Sequence, residues 1–373
     1  LTSFSKKICI PVLLAIITLL ELPSANTATT AEKTLSYPSV QQVELTSAPV
    51  QPQPANIDSQ LSAKPMEAVR DPLTRITTLT ITAAGDCTLG TDEHFGYEGT
   101  FPAAYDEAGD ASVFLQGVKD VFQNDDLTIV NMEGPLTNRT TRAEKTFAFK
   151  GSPDYVNVLK EGSVEAASLA NNHSFDYGND AFWDTFLTLG NAGIMLFGYE
   201  ESPVMTVKDI PVGLVGINVL EGSAESVLLP QLQKVKDQGA QLIIVYFHWG
   251  SELDTYPDED QRYLAHTAID NGAHLVLGSH PHVIQGTETY NGRTICYSLG
   301  NFCFGGNSNP SDKDTMIFRQ TFTFKNGQLD SIETGETIPA RISSTPWYND
   351  YRPVILTGDE AARVKAKIKE RSI

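Results

Sequence analysis

Leu242-Ile243-Ile244-Val245-Tyr246-Phe247-His248-Trp249-Gly250-Ser251-Glu252 and His274-Leu275-Val276-Leu277-Gly278-Ser279-His280-Pro281-His282 are the two stretches whose reading decides the fold. Each is a short apolar run that ends in histidine. Residues 262–270 between them repeat apolar side chains at helical spacing. A strand, a helix and a second strand in that order form a βαβ unit, which calls for a parallel sheet. The continuous apolar character says that both faces of these strands are covered. In such folds, loops at the carboxyl ends of strands converge on one crevice, and chemistry collects there.

The same pattern extends in both directions. Residues 79–84 form an apolar strand closing on Gly85-Asp86, residues 127–130 one closing on Asn131-Met132-Glu133, and residues 164–169 one closing on Asn171-Asn172-His173. Residues 212–219 add a further strand. Residues 113–122 and 181–189 read as helices. These alternations predict an α/β fold. After residue 290 the pattern changes to successive strands at 294–298, 315–324 and 329–334, suited to antiparallel pairing, followed by a basic helix at 360–371 that packs weakly or frays.

Composition narrows the class of partner. The chain has 373 residues, 41% of them hydrophobic, enough for a sizeable core. Its formal charge of -19 and pI near 4.7 set it against nucleic acid, whose phosphates such a surface repels. Lys6 and Lys7 precede a 13-residue apolar run, Ile8 to Leu20, shorter than the roughly 20 residues of a spanning helix. Small residues follow at Ser24-Ala25 and Thr27-Ala28. Residues 1–25 therefore read either as a removed export signal or as a retained membrane anchor, and both place the remaining chain outside the cytoplasm. Residues 26–75, rich in Pro, Thr, Ala and Gln, read as a flexible linker. The folded domain is expected over 76–340 and a C-terminal extension with a helix over 341–373. Cys87, Cys296 and Cys303 follow the signal without a CxxC pair, so a zinc ribbon is not indicated. Their number allows one disulfide and one free thiol, and Cys296, in an apolar strand pattern, reads as core.

Candidate site residues sit where the strands end. Asp86, Glu133, Asn172, His248, His280 and His282 together supply two carboxylates, an amide oxygen and three imidazoles. That N/O donor set suits Mn, Zn or Fe better than calcium. Each has a plainer reading alone: Gly85-Asp86 as a turn, Glu133 as a solvated cap, His248 as a histidine satisfied by backbone. His280-Pro281-His282 shifts the balance, because proline fixes the backbone between two imidazoles. Glu252 reads as a partner that orients a ligand imidazole. The acidic run Asp258-Glu259-Asp260 reads as solvated surface. Gly300-Asn301 reads either as backbone N–H groups closing over a substrate or as a tight turn.

The ordered series Gly85-Asp86, Asn131-Met132-Glu133-Gly134, Ala170-Asn171-Asn172-His173, His248-Trp249-Gly250-Ser251-Glu252, Gly278-Ser279-His280-Pro281-His282-Val283-Ile284-Gln285-Gly286 and Ser298-Leu299-Gly300-Asn301-Phe302 resembles the CapA family of capsule synthesis over residues 77–335. The resemblance implies a role in poly-γ-glutamate capsule assembly, with membrane-bound polymer synthesis or export subunits and the polymer itself as partners. That family is similar to calcineurin-like metallophosphoesterases, which implies a layered α/β sandwich around two divalent metal ions. Carried across, Asp86 stands at the first-metal aspartate, Glu133 at the bridging carboxylate, Asn172 at the second-metal amide and His173 at the general acid. His248, His280 and His282 complete the metal shells. The chain departs from the phosphoesterase pattern at Asp86-Cys87-Thr88, where Asp-x-His is usual, and at Glu133, where aspartate is usual. Three functions follow as expectations: an exported metal-dependent phosphoesterase of surface-polymer assembly, a non-enzymatic subunit of the polymer complex, or a secreted phosphoesterase unrelated to capsule.

Overall fold

The computed structural model describes residues 74–373. The expected export signal or anchor, and all but the last two residues of the expected linker, lie outside the described residues.

Two sheets form the frame. In the first, strands Ile76–Thr88, Leu127–Met132, Ala166–Ser168 and Met195–Phe197 run parallel, in that spatial order. Asp314–Lys325 pairs antiparallel with the far side of Ile76–Thr88, and Glu336–Arg341 and Val354–Ile355 continue that edge. The second sheet is built on Ile210–Asn218, Leu242–His248 and Leu275–Ser279, all parallel. Arg293–Cys296 joins it parallel, and Thr287–Tyr290 closes the edge as a hairpin.

The pleat of one strand explains the layering. Leu242, Ile244 and Tyr246 face a core shared with Leu79, Ile81, Leu127 and Met316 of the other sheet. Ile243, Val245 and Phe247 point the opposite way, onto Leu228, Leu232 and Ala265 of helices Ala224–Asp237 and Glu259–Asp270. The first sheet's outer face packs with Phe182 and Leu189 of helix Asn179–Asn191 and with Val158 and Leu159 of Val156–Glu161. The order is helix, sheet, sheet, helix: the layered α/β sandwich that the resemblance implies. Period-2 alternation with both faces apolar is what a strand buried between two layers requires.

Three expectations are corrected. Residues 113–122 do not form one helix. A 3-10 turn at Ala111–Val113 and a short helix at Lys119–Gln123 flank Gly117, where an added Cβ would lie 2.6 Å from the Pro353 carbonyl. The chain bends there to let another segment pass. Residues 341–373 are not an extension. Val354–Ile355 pairs with the sheet, and Val364 and Ile368 of helix Gly358–Arg371 are buried in the inter-sheet core. The apolar side chains of this helix are few but stand four apart, on one face. The late strands are only partly antiparallel, since Arg293–Cys296 pairs parallel with Leu275–Ser279 and Asn301–Phe304 pairs parallel with Ile76–Thr88. Cys87, Cys296 and Cys303 are buried free thiols, and burial pushes the Cys87 thiol up to about 12.

Candidate metal centre

The carboxyl ends of parallel strands from both sheets meet at one edge. Asp86 is near the end of Ile76–Thr88, Glu133 directly follows Leu127–Met132, His248 ends Leu242–His248 and His280 follows Leu275–Ser279. Asn171, Asn172 and His173 lie in the turn beyond Ala166–Ser168. Asp86, Glu133, His248 and His280 are buried, and the six expected ligands lie in one chain of side-chain proximities through Asp86, His282, Glu133, His280, His248 and Asn172.

Gly85 makes the first placement possible. Its Cα passes so close to the Gly300 carbonyl that a Cβ would lie 1.8 Å from that oxygen. The same carbonyl accepts the Asp86 N–H at 3.1 Å. Asp86 is then fixed by Asn131 Nδ2, which donates to Oδ1 at 2.8 Å, and by the His280 N–H, which donates to Oδ2 at 3.3 Å. His282 Nδ1 lies 3.3 Å from Asp86 Oδ2. The His280-Pro281-His282 turn is strained: His280 has φ 95° and His282 φ 58°, a region that residues with a Cβ avoid. Strain of this kind persists where surrounding contacts over-determine it. Here the pins are Asp86, the Leu253 N–H on the Pro281 carbonyl at 2.8 Å, and Asn301.

Glu133, His280 and His282 present ligand atoms all within 4.8 Å of one another. Glu133 Oε1 and His280 Nδ1 are buried and have no hydrogen-bond partner among the described residues. His248 Nε2 and His282 Nε2 each stand 3.8 Å from Glu133 Oε1, beyond hydrogen-bond reach. Two donors each ~2.1 Å from one ion are themselves roughly 3–4 Å apart. An orphaned carboxylate oxygen ringed by imidazole nitrogens at that spacing fits a divalent cation, which would satisfy atoms that otherwise carry a desolvation cost. His248 Nε2 also lies 2.8 Å from Asn172 Oδ1, so the expected amide ligand reaches the same space.

The electrostatics agree. Burial pushes Asp86 up, but the hydrogen bond and charge of His282, with His248 and Asn131, outweigh it and hold the carboxyl well below the usual range. Burial and the neighbouring Asp86 charge push Glu133 up to about 8. Burial works against a charged His282, yet Glu133 and Asp86 hold it up to about 10. A proton on His282 and one favoured on Glu133 thus offset the charge of the buried Asp86–Glu133 pair, at the place a cation would otherwise fill. Burial lowers His280 to about 4 and takes His248 well below its ordinary value, so both favour the neutral form that binds metal.

His173 is buried, and its Nδ1 lies 2.7 Å from Asp176 Oδ2. Nε2 is left as the ring nitrogen for the cleft that His173 lines. Burial lowers its pKa despite Asp176. Asn301 acts through its side chain: Oδ1 lies 2.8 Å from His282 Nδ1, and Nδ2 donates to the His282 carbonyl at 3.2 Å. Glu252 lines the cleft beside His282. Its loop is clamped by Gln285 Nε2, which donates to the carbonyls of Asp254 and Tyr256 at 3.1 Å. Asp258 caps the next helix rather than only facing solvent, and Gln261 returns the bond in a capping box.

Several residues of the centre escaped the sequence reading. Asp176 orients His173 and accepts from Phe149 N at 2.6 Å and Lys145 Nζ at 2.7 Å. Its only signal was a carboxylate three residues after a histidine. Asn131 bridges Asp86 and Asn171. Thr88 occupies the place of the absent imidazole, and its Oγ1 donates to Glu133 Oε2 at 3.2 Å.

The family described as bacterial capsule synthesis protein PGA_cap matches residues 80–306, a span that includes every expected site residue. The chain belongs to this capsule-synthesis family. Among its relatives, the PGA biosynthesis protein CapA of Bacillus subtilis (strain 168) is 29% identical over 265 residues, covering 64% of this chain and 69% of its own length. The capsule biosynthesis protein CapA of Bacillus anthracis is 31% identical over 216 residues, covering 50% of this chain and 52% of its own length. A probable polyglutamine synthesis accessory protein of Mycobacterium tuberculosis (strain ATCC 25618 / H37Rv) is 26% identical over 255 residues, covering 58% and 66%. The chain therefore spans about half to two thirds of these family members.

Proposed function

We propose that this protein acts outside the cytoplasm in the biosynthesis of a poly-γ-glutamate capsule or a related surface polymer, and that it works through a divalent-metal centre of hydrolase type. The capsule role is supported by the family and by the names its relatives carry. The metal centre rests on one observation: the buried Glu133 oxygen and His280 nitrogen that lack partners while His282 closes on them. Glu133, His280 and His282 would hold one ion, and Asp86, His248 and Asn172 are the donors at hand for a second. Manganese, zinc or iron suits this set. Such ions supply Lewis acidity toward a phosphoester or acyl group.

The chain's own groups would do the rest. Asp176 holds His173 so that the remaining ring nitrogen meets the cleft, and His173 would deliver a proton to a departing oxygen. Asn301 keeps the His282 ring in one orientation. Membrane-bound polymer synthesis or export subunits are the partners this role calls for.

A second reading keeps the site for binding alone, and Thr88 favours it. A hydroxyl stands where an imidazole ligand is usual. The test is metal content of the purified protein after stripping and reloading with Mn, Zn or Fe, followed by turnover on a panel of phosphoesters. Bound metal with turnover supports the hydrolase. Metal without turnover, together with undisturbed polymer assembly in His173→Ala, selects the binding subunit. No retained metal overturns the hydrolase reading and leaves the non-enzymatic subunit.

A further inference from the structure

Residues 137–148 form neither helix nor strand and pass beside the turn that carries His173. Two buried carboxylates hold this segment. Asp92 Oδ2 accepts from Arg142 Nη2 at 2.7 Å and from the Ala148 N–H at 2.6 Å. Asp176 accepts the Phe149 N–H on Oδ2 at 2.6 Å, and its carbonyl accepts the Ala143 N–H at 2.8 Å.

Between these anchors Lys145 reaches inward. Its Nζ donates to Asp176 Oδ1 at 2.7 Å and to the Asn172 carbonyl at 2.9 Å, and stands 3.4 Å from His173 Nδ1. All three atoms belong to residues 172–176. The lysine side chain is 32% exposed and that of Asp176 1%. A lysine that serves only the surface keeps its ammonium in water, where an ion pair contributes little. Here the ammonium gives up rotamer freedom to bond one short turn.

Donor and acceptor roles fix the consequence. An ammonium only donates and a carboxylate only accepts. The His173 Nδ1–H therefore points at Asp176 Oδ2, 2.7 Å away, and not at Lys145. Among the described residues, Lys145 is the one hydrogen-bond partner of Asp176 Oδ1. A carboxylate turns readily about its last torsion. A cation bonded to Oδ1 keeps Oδ2 on the imidazole. The bond to the Asn172 carbonyl holds the peptide that joins Asn172 to His173.

We propose that Lys145 is a positioning residue that fixes Asp176, and through it the tautomer and aim of the His173 ring, resting on the reading of His173 as the proton donor. The ammonium acts through the turn and bonds none of the proposed metal-ligand atoms.

The test is two-bond ¹H–¹⁵N spectroscopy of the full chain, labelled at histidine, stripped of metal and held at pH 8. The His173 signal is the one lost in His173→Gln. The wild type should show the Nδ1–H pattern alone. Lys145→Met and Lys145→Cys should lose it to a mixed pattern. Alkylating the Lys145→Cys thiol with bromoethylamine rebuilds an ammonium at the same reach and should restore it. Cys87, Cys296 and Cys303 are buried, and wild-type protein treated alike is the control. Because loss and rescue are read in one variant, a folding defect does not mimic them. Arg142→Met loosens the same segment at Asp92 instead and should keep the Nδ1–H pattern. Turnover on a phosphoester should follow the spectra: kcat lower by about tenfold or more with KM within about twofold, regained on alkylation. A wild-type pattern in Lys145→Met, failure of alkylation to restore it, or the same loss in Arg142→Met each overturns the proposal. Absence of turnover in the wild type counts against the hydrolase reading alone, since the spectra need neither metal nor substrate.

Discussion

Replacing His280 by alanine and by glycine separates backbone strain from ligand loss. His280 holds φ 95°. A residue with a Cβ pays ~1–2 kcal/mol in the left-handed region. Alanine retains that Cβ and glycine removes it. Glycine loses more chain entropy on folding, ~0.5–1 kcal/mol relative to alanine. Both variants delete the same buried ring and the same unpartnered Nδ1, so those contributions cancel between them. The difference leaves His280→Gly more stable than His280→Ala by about 0.75 kcal/mol, the middle of a range of roughly 0–1.5 kcal/mol, the reverse of the usual order. Urea unfolding followed by circular dichroism, with chelator present throughout, reads it as a higher midpoint at equal slope. Metal content should fall in both variants. If alanine matches or exceeds glycine, the turn relaxes freely and is not strained by its pins at Asp86, Leu253 and Asn301.

Three other outcomes follow from the same geometry. His173→Ala should keep bound metal by elemental analysis while turnover on the best phosphoester falls ~10²–10⁴-fold, because it removes a proton donor held by Asp176 and none of the proposed ligands. His274 accepts the Ile243 N–H at 3.0 Å, and burial lowers its pKa from 6.5 to about 4. Between these values the unfolded chain binds the extra proton, so His274 contributes stability in full above pH 6.5 and loses it as pH falls to 4, a total of about 3 kcal/mol. The urea midpoint of His274→Gln should therefore depend less on pH than that of the wild type across that window; parallel curves would exclude the assignment. Reloading stripped protein with metal at 100 times its dissociation constant should add about 2.7 kcal/mol, read as a raised melting temperature that chelator reverses. An unchanged melting temperature would mean that the folded state gains nothing from the ion.

What the sequence determined by itself is the set of strand ends. Apolar runs closing on Asp86, Glu133, Asn172, His248 and His280 marked an α/β frame with its polar residues at one edge, because side-chain period and loop placement are local consequences of strand geometry. Helix Asn179–Asn191 was legible for the same reason. Helix Ala224–Asp237 was not seen, although Leu228, Leu232 and Val235 recur at helical spacing; Pro230 inside it argues locally for a break. Residues 341–373 looked detachable, because nothing within the segment announces that Val364 and Ile368 fill the space between two sheets.

Only the tertiary structure decided which neighbours complete each ligand. Asp176 holds His173 from three residues away, but Asn301 reaches His282 across 19 residues and Asn131 reaches His248 across 117. Thr88 takes the place of an imidazole by donating to a carboxylate 45 residues downstream. The left-handed backbone at His280 and His282 likewise comes from outside the turn, imposed by Asp86, Leu253 and Asn301. Hydrogen bonds act over about 3 Å, and the chain supplies that proximity only after its two sheets have closed on one another.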